Sequence, residues 1–145
     1  MNSTDYTVEA YLRSDEDDPF MVHSSADVDA LIDQLLAAPS GRPAAILYVT
    51  QRPLDSEGNL DHALWVAIDG DGGIGGLHYW NMTKYPGVLF YSRGAMSRRI
   101  EVSYYHTGHE LNFPRDSEIS IPLIRRAVNE FLCSGGDKPT CLEWQ

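Results

Sequence analysis

The chain has 145 residues, 43% of them hydrophobic and 22% charged, and its formal net charge is −10. This length and composition predict a single folded domain over residues 1–145. The excess of acidic residues argues against direct binding to nucleic acids or anionic membranes, because both are bound largely through Lys and Arg. The same charge suits plain solubility or a basic protein partner, and composition leaves these two open.

Compartment and redox state follow from what the sequence lacks. No apolar run reaches the roughly 18 residues of a membrane-spanning helix, and the acidic N-terminal segment has no signal-peptide pattern. We therefore expect a cytoplasmic protein. Cys133 and Cys141 are its two cysteines, too few for a disulfide framework, and a reducing compartment would leave them as thiols.

The first elements along the chain are a strand and a helix. Residues 6–12 have strand composition, and the acidic residues 15–19 predict a solvated loop. Within residues 23–43, apolar side chains recur at the spacing of one helix face, and Ser24 or Ser25 is placed to cap the first turn. The face consists of Val28, Leu31, Ile32, Leu35 and Leu36.

Strand-like segments separated by polar or glycine-rich turns follow the helix. Their composition predicts an antiparallel meander. The segments are residues 44–52, 62–69, 77–82, 87–94 and 98–106.

The C-terminal part predicts a connection, a second helix and a last strand. Residues 110–122 read as connection, Pro122 suits a first helical turn, and Gly135 or Gly136 suits the helix end. Residues 140–145 predict a short strand. The helix has one apolar face, formed by Ile124, Ala127, Val128, Phe131 and Leu132. The order β-α-β-β-β-β-β-α-β predicts an α+β fold, with two helices packed on one face of a mostly antiparallel sheet.

The stretch YYHTGHE (104–110) raises the question of a metal site. The helical zinc motif places its histidines four apart with Glu between them, whereas His106 and His109 are three apart and Glu110 lies outside. On a strand, residues three apart face opposite sides, so these imidazoles converge only if Gly108 makes a turn. No third ligand is marked. A small metal-dependent hydrolase using these residues is therefore kept as an alternative function, behind a plain strand end.

Other chemical motifs are incomplete. GDGGIGG (70–76) lacks the Lys and Ser/Thr of a phosphate-binding loop and precedes a strand rather than a helix. A catalytic thiol needs an oriented base, and none is indicated near either cysteine. We therefore expect no enzyme activity, no metal and no cofactor.

Aromatic residues gather in the middle third of the chain. Adjacent pairs such as Tyr79–Trp80, Phe90–Tyr91 and Tyr104–Tyr105 place one ring on each face of a strand. If helices cover one face, the other face also carries aromatic rings. These rings either pack against further structure or form a protein-binding surface with a charged rim.

Several motifs together resemble a known family. They include ADVDALIDQLLAAPSGRPAAILYV, YSRG, and the C-terminal KPTCLEW. Their order and spacing over about residues 27–144 are similar to the first-numbered immunity-protein family of bacterial polymorphic toxin systems.

The resemblance implies a cytoplasmic antidote that is not an enzyme. Such proteins bind a secreted toxin domain and keep its substrate out, and several of the partner toxins are zinc-dependent nucleobase deaminases. The family's recurrent motif positions correspond here to Tyr91, Ser92, Arg93, Gly94, Gly108, Pro114, Glu118 and Trp144. We expect most of them to serve the fold, with Arg93 either structural or in contact with the toxin.

A basic, nucleic-acid-modifying toxin would be complementary to the acidic groups of this chain. The candidate partner-binding residues are Asp15, Glu16, Asp17, Asp18, Asp69, Asp71, Trp80, Tyr85 and Arg93. Trp80 and Tyr85 are expected as apolar anchors beside the acidic groups. Replacing Asp69 and Asp71 by Lys is expected to slow association with little change in folding. An acidic adaptor that binds another protein through the same surface is the remaining alternative.

Overall fold

The computed structural model describes residues 3–12, 19–38, 42–83, 87–106 and 109–145. The elements in chain order are β1 (Ser3–Tyr11), β2 (Phe20–Ser24), α1 (Ser25–Leu36), β3 (Ala44–Val49), β4 (His62–Asp69), β5 (Ile74–Asn81), β6 (Val88–Tyr91), β7 (Val102–His106), β8 (His109–Phe113), β9 (Ile119–Ser120) and α2 (Ile121–Ser134).

The main sheet has the strand order β2-β1-β3-β4-β5-β6, and β9 pairs with β5. Every one of these pairings is antiparallel. Two helices accompany this sheet. The predicted α+β class with a mostly antiparallel sheet is therefore confirmed.

The two helices begin and end where the sequence predicted. The Ser24 hydroxyl accepts a hydrogen bond from the backbone N–H of Asp27 at the start of α1. Pro122 lies in the first turn of α2, and Gly135 closes that helix in the left-handed conformation at φ 74°. Both apolar faces pack into one hydrophobic core with side chains of the sheet. Its helical members are Val28, Leu31, Ile32, Leu35, Ile124, Ala127, Val128, Phe131 and Leu132.

Three strands of the structure, β2, β8 and β9, were not predicted from the sequence. β2 immediately precedes α1. Its last two residues, 23 and 24, belong to the segment that was predicted to contain the helix. β8, apart from its first residue His109, and β9 lie in residues 110–122, which were expected to be connection. All three are at most five residues long, and strands this short carry few periods of alternation from which to recognise them.

The predicted last strand at residues 140–145 is reduced to a single bridge. Trp144 lies opposite Ser92, and the main chains of Tyr91 and Gln145 exchange two hydrogen bonds of 2.8 and 3.1 Å. The C-terminus therefore covers part of the outer edge of β6 without forming a full strand.

The placement of β7 corrects the predicted meander. β7 pairs with β8 as a separate two-stranded sheet instead of following β6 in the main sheet. The chain between β6 and β7 is held elsewhere, because the N–H groups of Gly94 and Ala95 donate to the carbonyls of Asp116 and Glu118. The β7–β8 hairpin packs on the sheet with a second, smaller core of Ala44, Ala67, Val102, Tyr104 and Phe113.

Several positions of the resembling motif contribute to this architecture. The buried Ser92 hydroxyl donates to the carbonyl of Ser117 at 2.7 Å and accepts from the N–H of Leu77 at 3.0 Å, so it ties β5 to the chain before β9. The Trp144 indole donates to the carbonyl of Pro139 at 2.8 Å. Gly108 lies outside the described residues.

Candidate interaction surface

A cleft lies between β8 and the main sheet. Its wall on the sheet is formed by Trp65, His78, Trp80 and Tyr91, and its wall on the hairpin by Glu110, Leu111, Asn112 and Phe113. Its volume is about 190 Å³. This is below the roughly 300–1,000 Å³ of most small-molecule sites, so the cleft suits one side chain of a partner better than a whole substrate.

Strand alternation brings the tryptophans to this wall. In β4, Leu64, Val66 and Ile68 point to the helix side and belong to the main core. Trp65 therefore points to the opposite side. Trp80 on β5 is on the same side, and the two indole rings lie 5.8 Å apart between centroids.

The remaining rings form a packed wall. The His78 imidazole stacks on the Tyr91 phenol ring at 4.0 Å with an interplanar angle of 11°. Trp80 meets the His78 ring edge-on at 5.9 Å, and Phe113 meets Tyr91 at 5.3 Å. Because each ring contacts another, the wall is ordered before any partner arrives.

Two side chains of the cleft, His78 and Glu110, carry hydrogen-bond acceptors. His78 Nδ1 lies 2.9 Å from the carbonyl oxygen of Phe90, which can only accept, so Nδ1 carries the proton and Nε2 keeps a lone pair. Burial lowers the pKa of His78, against the raising effect of that carbonyl, so the ring is neutral at pH 7. Glu110 is exposed and makes no side-chain hydrogen bond or ion pair with the described part of the chain. None of the eight residues lining the cleft is Lys or Arg.

Two donors at the same place are unsatisfied. The indole nitrogens of Trp65 and Trp80 are enclosed and have no hydrogen-bond partner in the described structure. An unpaired buried donor costs about 1–3 kcal/mol. The protein tolerates this cost at the cleft, which is typical of a surface shaped for binding rather than for stability.

The predicted partner-binding residues are spread over the molecule. Asp15, Glu16, Asp17, Asp18 and Tyr85 lie outside the described residues. Trp80 lines the cleft. Arg93 is exposed on the segment after β6 and lies 3.5 Å from the Asp116 carboxylate.

Asp69 differs from the expectation. It is 7% exposed, and its carboxylate accepts from the N–H of Gly72 at 3.1 Å. It also lies 3.8 Å from Arg42 and 3.6 Å from Arg99. Asp69 is thus a structural carboxylate, and its replacement by Lys would bury a cation beside two others. The expectation that replacing Asp69 by Lys changes folding little is therefore wrong.

Asp71 is exposed in the turn between β4 and β5. Trp80 lies near the other end of β5, about 20 Å away at the usual rise per strand residue of about 3.3 Å. The expected neighbourhood of Trp80 and this acidic turn is therefore not found. If both residues contact a partner, they contact different parts of it.

The histidines of YYHTGHE have separate roles. His106 and His109 are paired at the end of the β7–β8 hairpin. His106 Nδ1 donates to the carbonyl of Ala44 at 2.8 Å, and its ring meets Trp65 edge-on at 5.1 Å. In the described ranges, no three His, Cys, Asp or Glu side chains come together in a way that could hold a metal ion. His106 thus fixes the hairpin and supports the cleft.

The cleft itself was not predicted from the sequence. The alternation in β4 and β5 does place Trp65, His78 and Trp80 on one side. The β8 strand, which brings Glu110 opposite them, was not recognised. Antiparallel pairing of residues 102–106 with 109–113 would have been the signal, because His106 and His109 pair directly with each other.

Comparison of the chain with protein-family models tests the family resemblance that the motifs suggest. A family model described as "Immunity protein Imm1" matches residues 16–145. The chain belongs to the Imm1 immunity protein family. Membership supports an antitoxin role, which implies binding of a cognate toxin, and immunity proteins are typically not enzymes. The match includes both helices, the main sheet from β2 onward and the whole cleft.

None of the curated proteins compared with this Imm1-family chain matches it. Neither helix within the described ranges is long and apolar enough to cross a membrane.

Proposed function

We propose that this Imm1-family protein is the cytoplasmic antidote to one secreted toxin domain, which it binds non-covalently so that the toxin's active site is blocked. Family membership over residues 16–145 is the observation that carries the proposal. The cleft supports the proposal with aromatic rings and an exposed carboxylate in one recess of the surface.

The toxin we propose is a nucleic-acid-modifying deaminase with a basic substrate channel. Motif resemblance supports the deaminase, and the net charge of −10 supports the basic partner. A channel that binds phosphates carries Lys and Arg. An acidic protein is steered toward such a channel and competes with the nucleic acid there.

The cleft is the proposed centre of the contact. Interface hot spots are enriched in Trp, Tyr and Arg and lie in packed, desolvated pockets. Two tryptophans and one tyrosine line this cleft. Asp71 and Arg93, both exposed, remain proposed as peripheral contacts, together with the acidic residues 15–18.

Growth protection tests the antitoxin role. The toxin domain encoded beside this gene is expressed in a bacterial host with and without this chain. We expect restored growth and copurification of an equimolar complex. If the chain neither restores growth nor copurifies with the toxin, the proposed function is wrong.

The chemistry of the toxin is tested separately. We expect intoxicated cells to accumulate deaminated bases in DNA or RNA, measured by sequencing and nucleoside mass spectrometry, and this chain to suppress them. A protected host whose toxin leaves nucleobases unchanged would overturn the deaminase assignment and keep the antitoxin role. Binding to a non-toxic protein instead would favour the adaptor.

A further inference from the structure

We propose that the cleft between the tryptophan pair and β8 is a receptor for one arginine side chain of the toxin. The inference rests on the proposed antitoxin function and specifies the chemistry of its central contact. It is carried by the combination of aromatic faces, acceptor groups and an exposed carboxylate in one recess of the surface.

The walls favour a flat cation. Aromatic faces attract a cation within about 6 Å of the ring centroid, Trp most strongly, and the cleft is lined by Trp65 and Trp80. Arginine is less strongly hydrated than lysine and stacks on aromatic planes, whereas lysine is a compact charge that holds its water. Arginine therefore loses less hydration free energy than lysine when it enters a narrow aromatic recess.

The polar groups have the matching character. Glu110 supplies an exposed carboxylate at the β8 wall, without an ion-pair partner among the described residues. His78 supplies a neutral ring whose Nδ1 proton is committed to the carbonyl of Phe90, so its Nε2 is left as an acceptor. A guanidinium presents five N–H donors and no acceptor. Its donors match both groups, and none of the described residues that line the cleft is cationic.

Several acidic side chains of the protein are bound by arginine, and Glu110 differs from these in two respects. Asp29 and Asp33 are bound by Arg125, and Asp61 is bound by Arg52. Glu110 makes no such pair in the described part of the chain and stands beside aromatic rings. A carboxylate left without an internal partner at the rim of an aromatic recess is available to a cation from outside.

The location also gives the contact its rigidity. His78 is stacked on Tyr91, and His106 holds the hairpin against β3 through the Ala44 carbonyl. The receptor is therefore built before binding, which reduces the ordering cost of association.

The test uses the purified toxin domain encoded beside this gene and two matched variants of the full chain. Glu110→Gln removes the cleft carboxylate. Glu57→Gln removes an exposed carboxylate from the connection between β3 and β4, away from the cleft lining. We expect Glu110→Gln to weaken binding at least about tenfold through faster dissociation, and Glu57→Gln to weaken it less than twofold.

Double-mutant cycles then identify the occupant. Each arginine and each lysine of the toxin surface is changed singly to Ala and combined with Glu110→Gln and with Trp80→Phe. We expect one toxin arginine whose change and Glu110→Gln are strongly non-additive, with a coupling of at least about fivefold. In the complex, the indole N–H resonances of Trp65 and Trp80 should shift with wild-type toxin and lose most of that shift with the arginine variant.

The outcomes separate this inference from the proposed function. If wild-type chain protects cells and binds the toxin, but Glu110→Gln binds as Glu57→Gln does, the receptor is refuted and the antitoxin role stands. Coupling to a lysine refutes the preference for arginine, and coupling to no cation refutes the receptor. Failure of the wild-type chain to bind or protect refutes the proposed function itself.

Discussion

The imidazole of His106 donates a hydrogen bond of 2.8 Å from Nδ1 to the main-chain carbonyl of Ala44. This bond joins the β7–β8 hairpin to β3 of the main sheet, beside the 2.9 Å bond from the Tyr105 N–H to the Arg42 carbonyl. The His106 side chain, which suggested a metal site in the sequence, therefore connects the two sheets by a hydrogen bond.

The first prediction concerns the hydrogen bond between His106 and Ala44. His106→Ala leaves the Ala44 carbonyl without its donor and removes the edge contact with Trp65. We expect the free energy of unfolding to fall by about 1–3 kcal/mol in urea titrations. His109→Ala, which removes an exposed imidazole at the paired position, is the control and should change it by less than about 0.5 kcal/mol. Equal effects of the two changes would contradict the role of His106.

The second prediction concerns Asp69. Asp69→Asn keeps an acceptor for the Gly72 N–H but removes the charge that faces Arg42 and Arg99. We expect a loss of about 1–3 kcal/mol, because the partly enclosed Arg99 keeps its charge with one partner fewer. Asp71→Asn on the exposed side of the same turn is the control, with an expected change near zero. Urea unfolding of both variants decides the point.

The third prediction concerns association with the toxin. Asp71→Lys reverses an exposed charge, so it should slow association at low salt and flatten the dependence of the association rate on ionic strength. Stopped-flow mixing at two salt concentrations measures both. Glu57→Lys makes the same charge change elsewhere on the surface and corrects for the change in net charge. If the two variants associate at the same rate, Asp71 lies outside the interface.

The fourth prediction concerns pH. His62 accepts a hydrogen bond at Nε2 from the Val49 N–H at 2.9 Å, which a protonated ring cannot do. Burial and then the nearby Arg52 charge lower the pKa of His62, against Asp61 and Asp137, which raise it. The unfolded chain therefore takes up this proton more readily than the folded one.

The sign of the effect follows. The contribution of His62 to stability is fully present above the ordinary histidine pKa of about 6.5 and is lost as the pH falls from there toward the lower folded pKa. His78, whose pKa burial also lowers, acts in the same direction. We expect the free energy of unfolding to decrease from pH 7.5 to pH 5.5, and His62→Gln to weaken that decrease. A His62→Gln variant with an unchanged pH slope would contradict the assignment.

The fifth prediction concerns Gly94, one of the motif positions. A Cβ atom there would overlap the main-chain carbonyl oxygen of Glu118, across the bridge that holds Ala95 against that residue. We expect Gly94→Ala to destabilise the fold by more than about 3 kcal/mol, because backbone must move. Gly58→Ala, at φ 83° with open space around it, isolates backbone strain and should cost about 1–2 kcal/mol. Thermal unfolding compares the two.

The sequence alone determined the parts that depend on local periodicity. Both helices, with their apolar faces and caps at Ser24 and Gly135, follow from spacing and capping chemistry. β3 follows from a buried apolar run and β4 from apolar alternation. β5 was predicted only from residue 77 onward, whereas the strand begins at Ile74, within the segment expected to be a turn. Two helices with this many strands define the α+β class.

The tertiary structure decided which surface is available. β8 carries an exposed residue at most of its positions, so its composition does not distinguish a strand from a loop. Its pairing with β7 and the attachment of β7 to residues 42–44 are long-range contacts that no local pattern encodes. Those contacts place Glu110 opposite Trp65 and Trp80. Asp69, which in the sequence is one more acidic residue of a turn, is buried beside Arg42 and Arg99, and Arg99 is too distant in the sequence for a local pattern to predict that burial.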